Sequence, residues 1–361
     1  MACVTEIPKE ELLSERLFQA TIHSLELFSI YLGKRLGLYA ALAKHGPLNA
    51  AELARETGIA ARYAREWLEQ QAVAGFLAAE AVNGDPEAVR YRLPEAHARV
   101  LCEDGHPAHV APFAQMIAGI GAALPDVVAA YTSGRGVPYA RYGPDFRHGQ
   151  GGINHASFVH DLPNKWLPAV PDLAARLCRP PAARVADVGC GQGWSTIALA
   201  AAYPAAEVTG YDSDQGSIDD ARRRAAESGS RARFECNDAA SIAGDGPFDL
   251  VLLLEALHDM SQPTAALAGL RRALAPDGSV VIADERVAET FTAPGDEIER
   301  MMYGWSVVHC LPVAMAEQPS EATGTALRPA AVRSMAERAG FTRFEILPIR
   351  NQLFRFYRLR P

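Results

Sequence analysis

The six cysteines of this 361-residue chain, Cys3, Cys102, Cys178, Cys190, Cys236 and Cys310, are scattered, with no Cys-x-x-Cys pair. That spacing excludes a zinc ribbon or a dithiol redox centre and fits reduced cytosolic thiols. Long apolar runs are also missing, since no stretch reaches the ~20 consecutive apolar residues of a membrane helix. The start, MACVTEIPKEELL, is polar and acidic rather than basic and then apolar, so no signal peptide is expected and a cytoplasmic protein is. There is no surplus of positive charge: the formal net charge of -8 argues against a protein whose main work is gripping phosphate backbones. Neither an internal repeat nor a low-complexity segment occurs. What remains is ordinary globular composition in a chain long enough for two domains.

From Ser14 to Lys44 apolar residues recur at helical spacing, interrupted by Gly33 and Gly37, which predicts two or three packed helices. Asn49 stands three residues before Glu52, a capping box opening a short helix, and a second helix is expected from about Ala60 to Ala74. A hairpin follows, with Val82-Asn83-Gly84-Asp85 at its tip. Helix, turn, helix and hairpin make a winged helix over residues 1–105. Its second helix carries Arg62, Tyr63 and Arg65, as a DNA reader would, but also Glu66 and Glu69, which cancel the charge. Dimerisation is therefore the expected role of the module, giving a homodimer without nucleic acid as partner.

Residues 106–170 read as a helical linker and active-site cover. A long apolar helix from about Pro107 to Thr132 contains Pro125, and the stretch from Ser133 to Trp166 is rich in glycine, aromatic residues and histidine. Such a stretch is either a mobile cover or an irregular connection.

Residues 171–361 read as an alternation of strands and helices. In Arg184 to Leu199, RVADVGCGQGWSTIAL, a buried strand runs into Gly189, Gly191 and Gly193 and then a helix. Glycines there leave the turn's backbone angles open and let a ligand approach the main chain. Further strands are expected at Val208 to Asp212, Ala232 to Asp238, Phe248 to Glu255 and Ala275 to Asp284, with a closing antiparallel pair at Phe341 to Leu347 and Leu353 to Leu359.

The D-V-G-C-G-Q-G loop and the strands after it, in that order, resemble the motifs of class I S-adenosylmethionine (SAM) dependent methyltransferases. The resemblance implies an α/β fold, a Rossmann-like seven-stranded domain preceded by the mainly α winged-helix-like domain, with SAM as cofactor and a small molecule as substrate. It places Asp187, Gly189, Gly191 and Gly193 at the methionine part of the cofactor, Asp212 at the ribose diol, Asn237 and Asp238 at the adenine, and Glu255 beside cofactor or loop. The loop Ala256-Leu-His-Asp-Met260 is similar to the Leu-His-Asp signature of small-molecule O-methyltransferases, in which the histidine takes the substrate's proton. Here that histidine is His258. The adjacent pair His258 and Asp259, with His309 beyond the fifth strand, also resembles the His-Asp-His signature of metal-dependent methyltransferases that methylate the β-carbon of α-keto acids for non-ribosomal peptides, which serve antibiotic biosynthesis. That resemblance implies a divalent or ferric ion, zinc or iron, on His258, Asp259 and His309, stabilising an enolate as a Lewis acid. Three readings stand: metal-assisted C-methylation, O-methylation with His258 as general base, and a SAM-sensing winged-helix regulator.

Overall fold

A computed structural model describes residues 9–82 and 85–361, so Cys3, the extreme N-terminus and the hairpin tip at Asn83 and Gly84 lie outside the described residues. The chain divides into two compact units, Met1–Ala118 and Gly119–Pro361.

In the first unit, α1 (Lys9–Arg35) is followed by α2 (Leu38–His45), α3 (Ala50–Thr57), α4 (Ala61–Val73), the strands β1 (Ala78–Val82) and β2 (Asp85–Arg92), and α5 (Glu95–Leu101). Gly33 does not break α1 as its sequence suggested. A Cβ there would stand 2.5 Å from both Trp67 and Tyr39, so this glycine lets α1 pack closely inside its own unit, and the chain turns at Gly37 instead, where φ is 69°. The capping box forms at α3: the Glu52 N–H donates to the Asn49 side chain and the Asn49 N–H donates to the Glu52 carboxylate, each at 2.9 Å. Tyr39, Leu42, Leu53 and Leu68 fill the core of this unit, and β1 and β2 pair antiparallel. These are the parts of a winged helix.

The boundary between the units falls inside α6 (Pro112–Ser133), which runs through Pro125. With 22 residues and a mean hydropathy of 1.5 in its most apolar stretch, α6 has the length and composition of a membrane-crossing helix, and 44% of that stretch is buried within the chain. The sequence reads here as one long apolar helix without an unbroken run of ~20 apolar residues; Gln115 and Asp126 stand within it.

The glycine- and histidine-rich stretch is helical rather than irregular. A short 3-10 turn (Tyr139–Tyr142) leads into α7 (Gly143–Ala156), which continues as a π-helix over Ser157–Trp166. The second unit then alternates α8 (Pro171–Leu177), β3 (Arg184–Val188), α9 (Trp194–Ala202), β4 (Glu207–Asp212), α10 (Gln215–Ser228), β5 (Arg233–Cys236), β6 (Phe248–Leu254), α11 (Pro263–Arg272) and β7 (Leu274–Glu285). It closes with α12 (Glu297–Trp305), a π-helical turn at Ser306–Cys310, α13 (Leu311–Ala314), α14 (Pro329–Arg338), β8 (Arg343–Ile346) and β9 (Phe354–Arg360).

The seven strands lie in the order β5-β4-β3-β6-β7-β9-β8. All pairs are parallel except those made by β9, which runs antiparallel to β7 and β8. Strand residues alternate between two apolar layers: Ala186, Val188, Val251 and Ile282 pack on one face, Val185, Leu252, Val281 and Phe356 on the other. A parallel sheet covered on both sides needs such two-faced apolar strands. Strand order reverses beside β3, between β4 and β6, so the ends of these strands open a crevice where ligands bind in open α/β sheets.

Candidate active site

The loop after β3 owes its shape to backbone angles that favour glycine: φ is 73° at Gly189, 50° at Gly191 and 77° at Gly193. At Gly189 a Cβ would overlap that of Ala256, and at Gly193 it would meet the Phe234 ring at 2.7 Å, whereas at Gly191 it would meet nothing within 4 Å. Gly191 is thus the glycine whose side-chain direction is open. Asp187 ends up behind the loop. Its buried Oδ2 accepts from Ser195 Oγ and Thr196 Oγ1, both at 2.6 Å, so it ties β3 to the start of α9. Burial raises the pKa of this carboxyl, against those two hydrogen bonds.

Asp212, at the end of β4, accepts from the Gly191 N–H through Oδ2 and from the Asp214 N–H through Oδ1, each at 2.8 Å. Burial pushes its carboxyl up to about 6 in spite of these donors. Asn237 and Asp238 follow β5; the Asn237 N–H donates to the Asp212 carbonyl at 3.0 Å, and Asp238 Oδ1 accepts from the Ala240 N–H at 2.8 Å.

A cleft of about 400 Å³ opens over these strand ends, lined among others by Gly189, Gly191, Asp212, Asn237, Asp238, Glu255 and Asp259. Asp187, Gly193, His258 and His309 are not on its wall. The other wall is the segment read as a cover: Tyr139, Arg147, Gln150, Gly151, Asn154 and Phe158 line it. A Cβ on Gly151 would overlap the Gln192 side chain, so α7 lies directly on the glycine loop. Trp194 is held there too, stacked on His155 at 3.6 Å between ring centroids with the Arg224 guanidinium 3.8 Å from its ring.

Glu255 follows β6 with φ at 54°, one of two non-glycine residues with positive φ among the described residues. Left-handed backbone at a non-glycine residue is strain, and strain gathers at functional sites. Its Oε2 accepts from Asn154 Nδ2 at 2.8 Å, and its Oε1 is buried without a partner. Burial pushes its carboxyl up to about 7.

Behind Glu255 sits a buried acidic cluster that the sequence did not foreshadow. His258 Nδ1 lies 2.8 Å from Asp284 Oδ1 and 3.8 Å from Glu285 Oε2, while its Nε2 lies 3.4 Å from Asp259 Oδ1. Burial disfavours the imidazolium, but the Asp284, Asp259 and Glu285 carboxylates outweigh it and hold His258 well above its usual range. Burial likewise raises Asp259 and Glu285. One signal could have found Asp284 and Glu285: they end β7, the neighbour of β6, at the same rim as His258.

His309 does not join His258 and Asp259. Its ring stacks on Phe146 at 4.0 Å and 21°, with Tyr139 and Tyr142 around it, and its Nδ1 is 3.4 Å from Cys310 Sγ. Burial lowers its pKa to about 3, and its Nε2 has no partner. Among the described residues, two groups bring metal-ligating atoms within 4.8 Å of one another, His258 with Asp259 and Cys310, and His258 with Asp284 and Glu285. The ion implied on His258, Asp259 and His309 therefore finds its first two ligands together and its third turned into an aromatic pocket.

For SAM the fit is better. The open Gly191, the cleft-lining Asp212 carboxylate and the loop between β3 and α9 form a cradle with free space for a nucleoside and an amino-acid tail.

A sheet of this order, with a glycine loop after its first strand and a carboxylate ending its second, defines the class I methyltransferase fold. Comparison with known proteins agrees: residues 185–278 match the model of a methyltransferase domain and residues 25–103 that of an Rv2258c-like winged HTH domain. The chain thus joins a winged helix-turn-helix domain to a methyltransferase domain. It is 34% identical over 133 residues to trans-aconitate 2-methyltransferase of Methylobacterium nodulans, 37% of this chain and 49% of that protein. It is 36% identical over 99 residues to ubiquinone biosynthesis O-methyltransferase of Idiomarina loihiensis, 27% of this chain and 40% of that protein. The aligned segment thus spans about half or less of these relatives. Among solved structures, human N-acetylserotonin methyltransferase in complex with SAM superposes with a TM-score of 0.67 at 18% identity, covering 100% of this chain and 99% of that one. Mitomycin 7-O-methyltransferase superposes with a TM-score of 0.61 at 17% identity, covering 98% and 99%.

Proposed function

We propose that this protein transfers the methyl group of SAM to an oxygen atom of a small-molecule acceptor, with Glu255 as the base that receives the acceptor's proton. The observation that carries this reading is Glu255 itself, a strained, cleft-lining carboxylate at about 7, beside the glycine loop and Asp212. A base poised near neutral pH combines a useful ionised fraction with enough basicity. Bound SAM supplies an electrophilic methyl on sulfonium. The chain supplies the rest: Gly191 admits the cofactor, Asp212 offers its remaining lone pairs to a ribose diol, and Asn154 holds the Glu255 carboxylate at the wall. The similarity to ubiquinone biosynthesis O-methyltransferase and mitomycin 7-O-methyltransferase supports oxygen as the acceptor atom.

His258 is less suited to the role of base, since its ring is buried, its Nδ1 is held by Asp284 at 2.8 Å, and it stands behind Asp259, off the cleft wall. An α-keto acid has less support too. Among the described residues the cleft is lined by Asp212, Asp214, Asp238, Glu255, Asp259 and Glu317 against Arg147 alone among cations, and Arg147 is committed to Asp220 at 3.1 Å and Asp214 at 3.5 Å. That charge favours neutral or cationic acceptors over keto acids and polycarboxylates such as trans-aconitate.

We also infer a homodimer through the first unit. On α1, Leu17, Phe18 and Leu25 are each more than 60% exposed, with Phe28 and Leu32 nearly half exposed. Five large apolar side chains on one exposed helix call for a cover. DNA reading has little support, because on α4 Arg62 pairs with Glu66 and Arg65 with Glu69. The described cysteines are unpaired, which suits a cytoplasmic protein.

The test is S-adenosylhomocysteine formation from SAM over a panel of phenols, hydroxylated amines and keto acids, with S-adenosylhomocysteine binding measured by calorimetry. Product formation with hydroxylated acceptors supports the reading. Absence of binding overturns it, and turnover confined to keto acids overturns the choice of oxygen.

A further inference from the structure

We propose that His258, Asp259 and Cys310 form a zinc site behind the cleft wall, with Asp284 as the outer partner that fixes the imidazole. This set differs from the His-Asp-His signature read in the sequence, because His309 stacks on Phe146 while the adjacent Cys310 is the residue grouped with His258 and Asp259.

The ligand atoms of the three residues already lie within 4.8 Å of one another, and His258 Nε2 is 3.4 Å from Asp259 Oδ1. A tetrahedral zinc with bonds of ~2.0–2.3 Å has ligand-to-ligand edges of roughly 3.3–3.8 Å, so closing on the ion takes only small side-chain movements. Asp259 Oδ1 is buried without a hydrogen-bond partner, as a ligand atom awaiting an ion would be.

The other side of the imidazole supplies an independent argument. A metal-bound histidine nearly always donates its second ring N–H to a carboxylate, which fixes tautomer and orientation. Here Asp284 Oδ1 sits 2.8 Å from His258 Nδ1, and Asp284 is fully buried. That contact also decides between the two candidate groups. Nδ1 cannot both donate to Asp284 and bind a metal, so the ion belongs on Nε2, with Asp259 and Cys310.

Three protein ligands of mixed nitrogen, oxygen and sulfur type, with a fourth position left open, is the pattern of catalytic zinc. As zinc binds, the Cys310 S–H proton leaves to solvent and a zinc–sulfur bond forms. Of the three, Asp259 lines the cleft while His258 and Cys310 stand behind it, so a zinc ion held there would lie at the back of the cleft wall and would act as a Lewis acid on an acceptor oxygen that reached it.

Cobalt(II) reports on the site without an activity assay, because a thiolate ligand gives it a sulfur-to-metal charge-transfer band. The full chain, stripped with chelator and titrated with cobalt(II), should bind about one equivalent and show that band. Cys310→Ser should lose the band, His309→Ala should keep it, and Asp284→Asn should bind zinc ~10–100-fold more weakly in chelator competition. No cobalt binding in the parent, or a band that survives in Cys310→Ser, overturns the site. A band lost in His309→Ala but kept in Cys310→Ser restores the His-Asp-His set and overturns it equally. S-adenosylhomocysteine binding on the same samples reports folding; if Cys310→Ser loses it, the partly exposed Asp259→Asn takes its place and should lose most of the cobalt affinity. Because cofactor binding is read separately, failure of the metal site and failure of the methyl-transfer reading remain distinguishable.

Discussion

His258 Nδ1 and Asp284 Oδ1 lie 2.8 Å apart across 26 residues of sequence, buried at the rim where β6 and β7 end side by side. The contact aims Nε2 toward Asp259, 3.4 Å away. It makes Asp284 a positioning residue: it acts on the cleft only through the imidazole it holds.

Glu255→Gln keeps the shape of the side chain and removes the base. Turnover should fall ~10²–10⁴-fold, the usual contribution of a positioned base, while calorimetric affinity for S-adenosylhomocysteine changes little. In the parent, kcat/KM should rise with pH through about 7 as Glu255 ionises, and the variant should lose that limb. A pH profile unchanged by the substitution would remove Glu255 from the base's role.

The ligand-free protein should lose stability as pH rises from about 4 to about 7 on account of two groups. Asp212 and Glu255 hold their protons to about 6 and about 7 in the folded chain, above their ordinary carboxyl values. Between those limits the folded state binds more protons than the unfolded one, so raising the pH favours unfolding. Glu255→Gln should flatten the upper part of this slope in thermal melts from pH 5 to 8, and a slope unchanged by the substitution would assign it to other groups.

Gly189→Ala should damage the cofactor cradle. The new methyl would overlap the Ala256 side chain at a backbone φ of 73°. Left-handed backbone at a non-glycine residue costs roughly 1–2 kcal/mol, and the loop must shift as well. Affinity for S-adenosylhomocysteine should drop at least about tenfold; parent-like affinity would mean that the loop does not contact the cofactor.

Leu25→Glu with Phe28→Glu should convert a dimer to a monomer in sedimentation equilibrium, with far-ultraviolet circular dichroism unchanged, since both side chains are exposed on α1. A parent that already sediments as a monomer would remove α1 as the interface.

Much of the fold was legible because it rests on local rules. The glycine loop, the apolar strands and the Asn49–Glu52 capping box each follow from a few neighbouring residues. Gly33 misled because its role lies in packing against Trp67 and Tyr39, residues remote from it in sequence or beyond the helix end. The site was less legible for the same reason. Asp284 and Glu285 meet His258 only because β6 and β7 are adjacent in the sheet. His309 and Cys310 sit in a π-helical turn, whose wider winding changes which of two neighbours comes up to His258 and Asp259, and helical periodicity cannot foresee that.

The left-handed backbone at Glu255 carries an implication for how this protein can change. Glycine would adopt a φ of 54° without strain, so the most stable residue at that position is one that carries no carboxylate. Selection or engineering for heat resistance alone would push position 255 toward glycine, and the chain that emerged would melt higher and turn over less. The strained residue therefore marks where stability and activity pull in opposite directions in this fold.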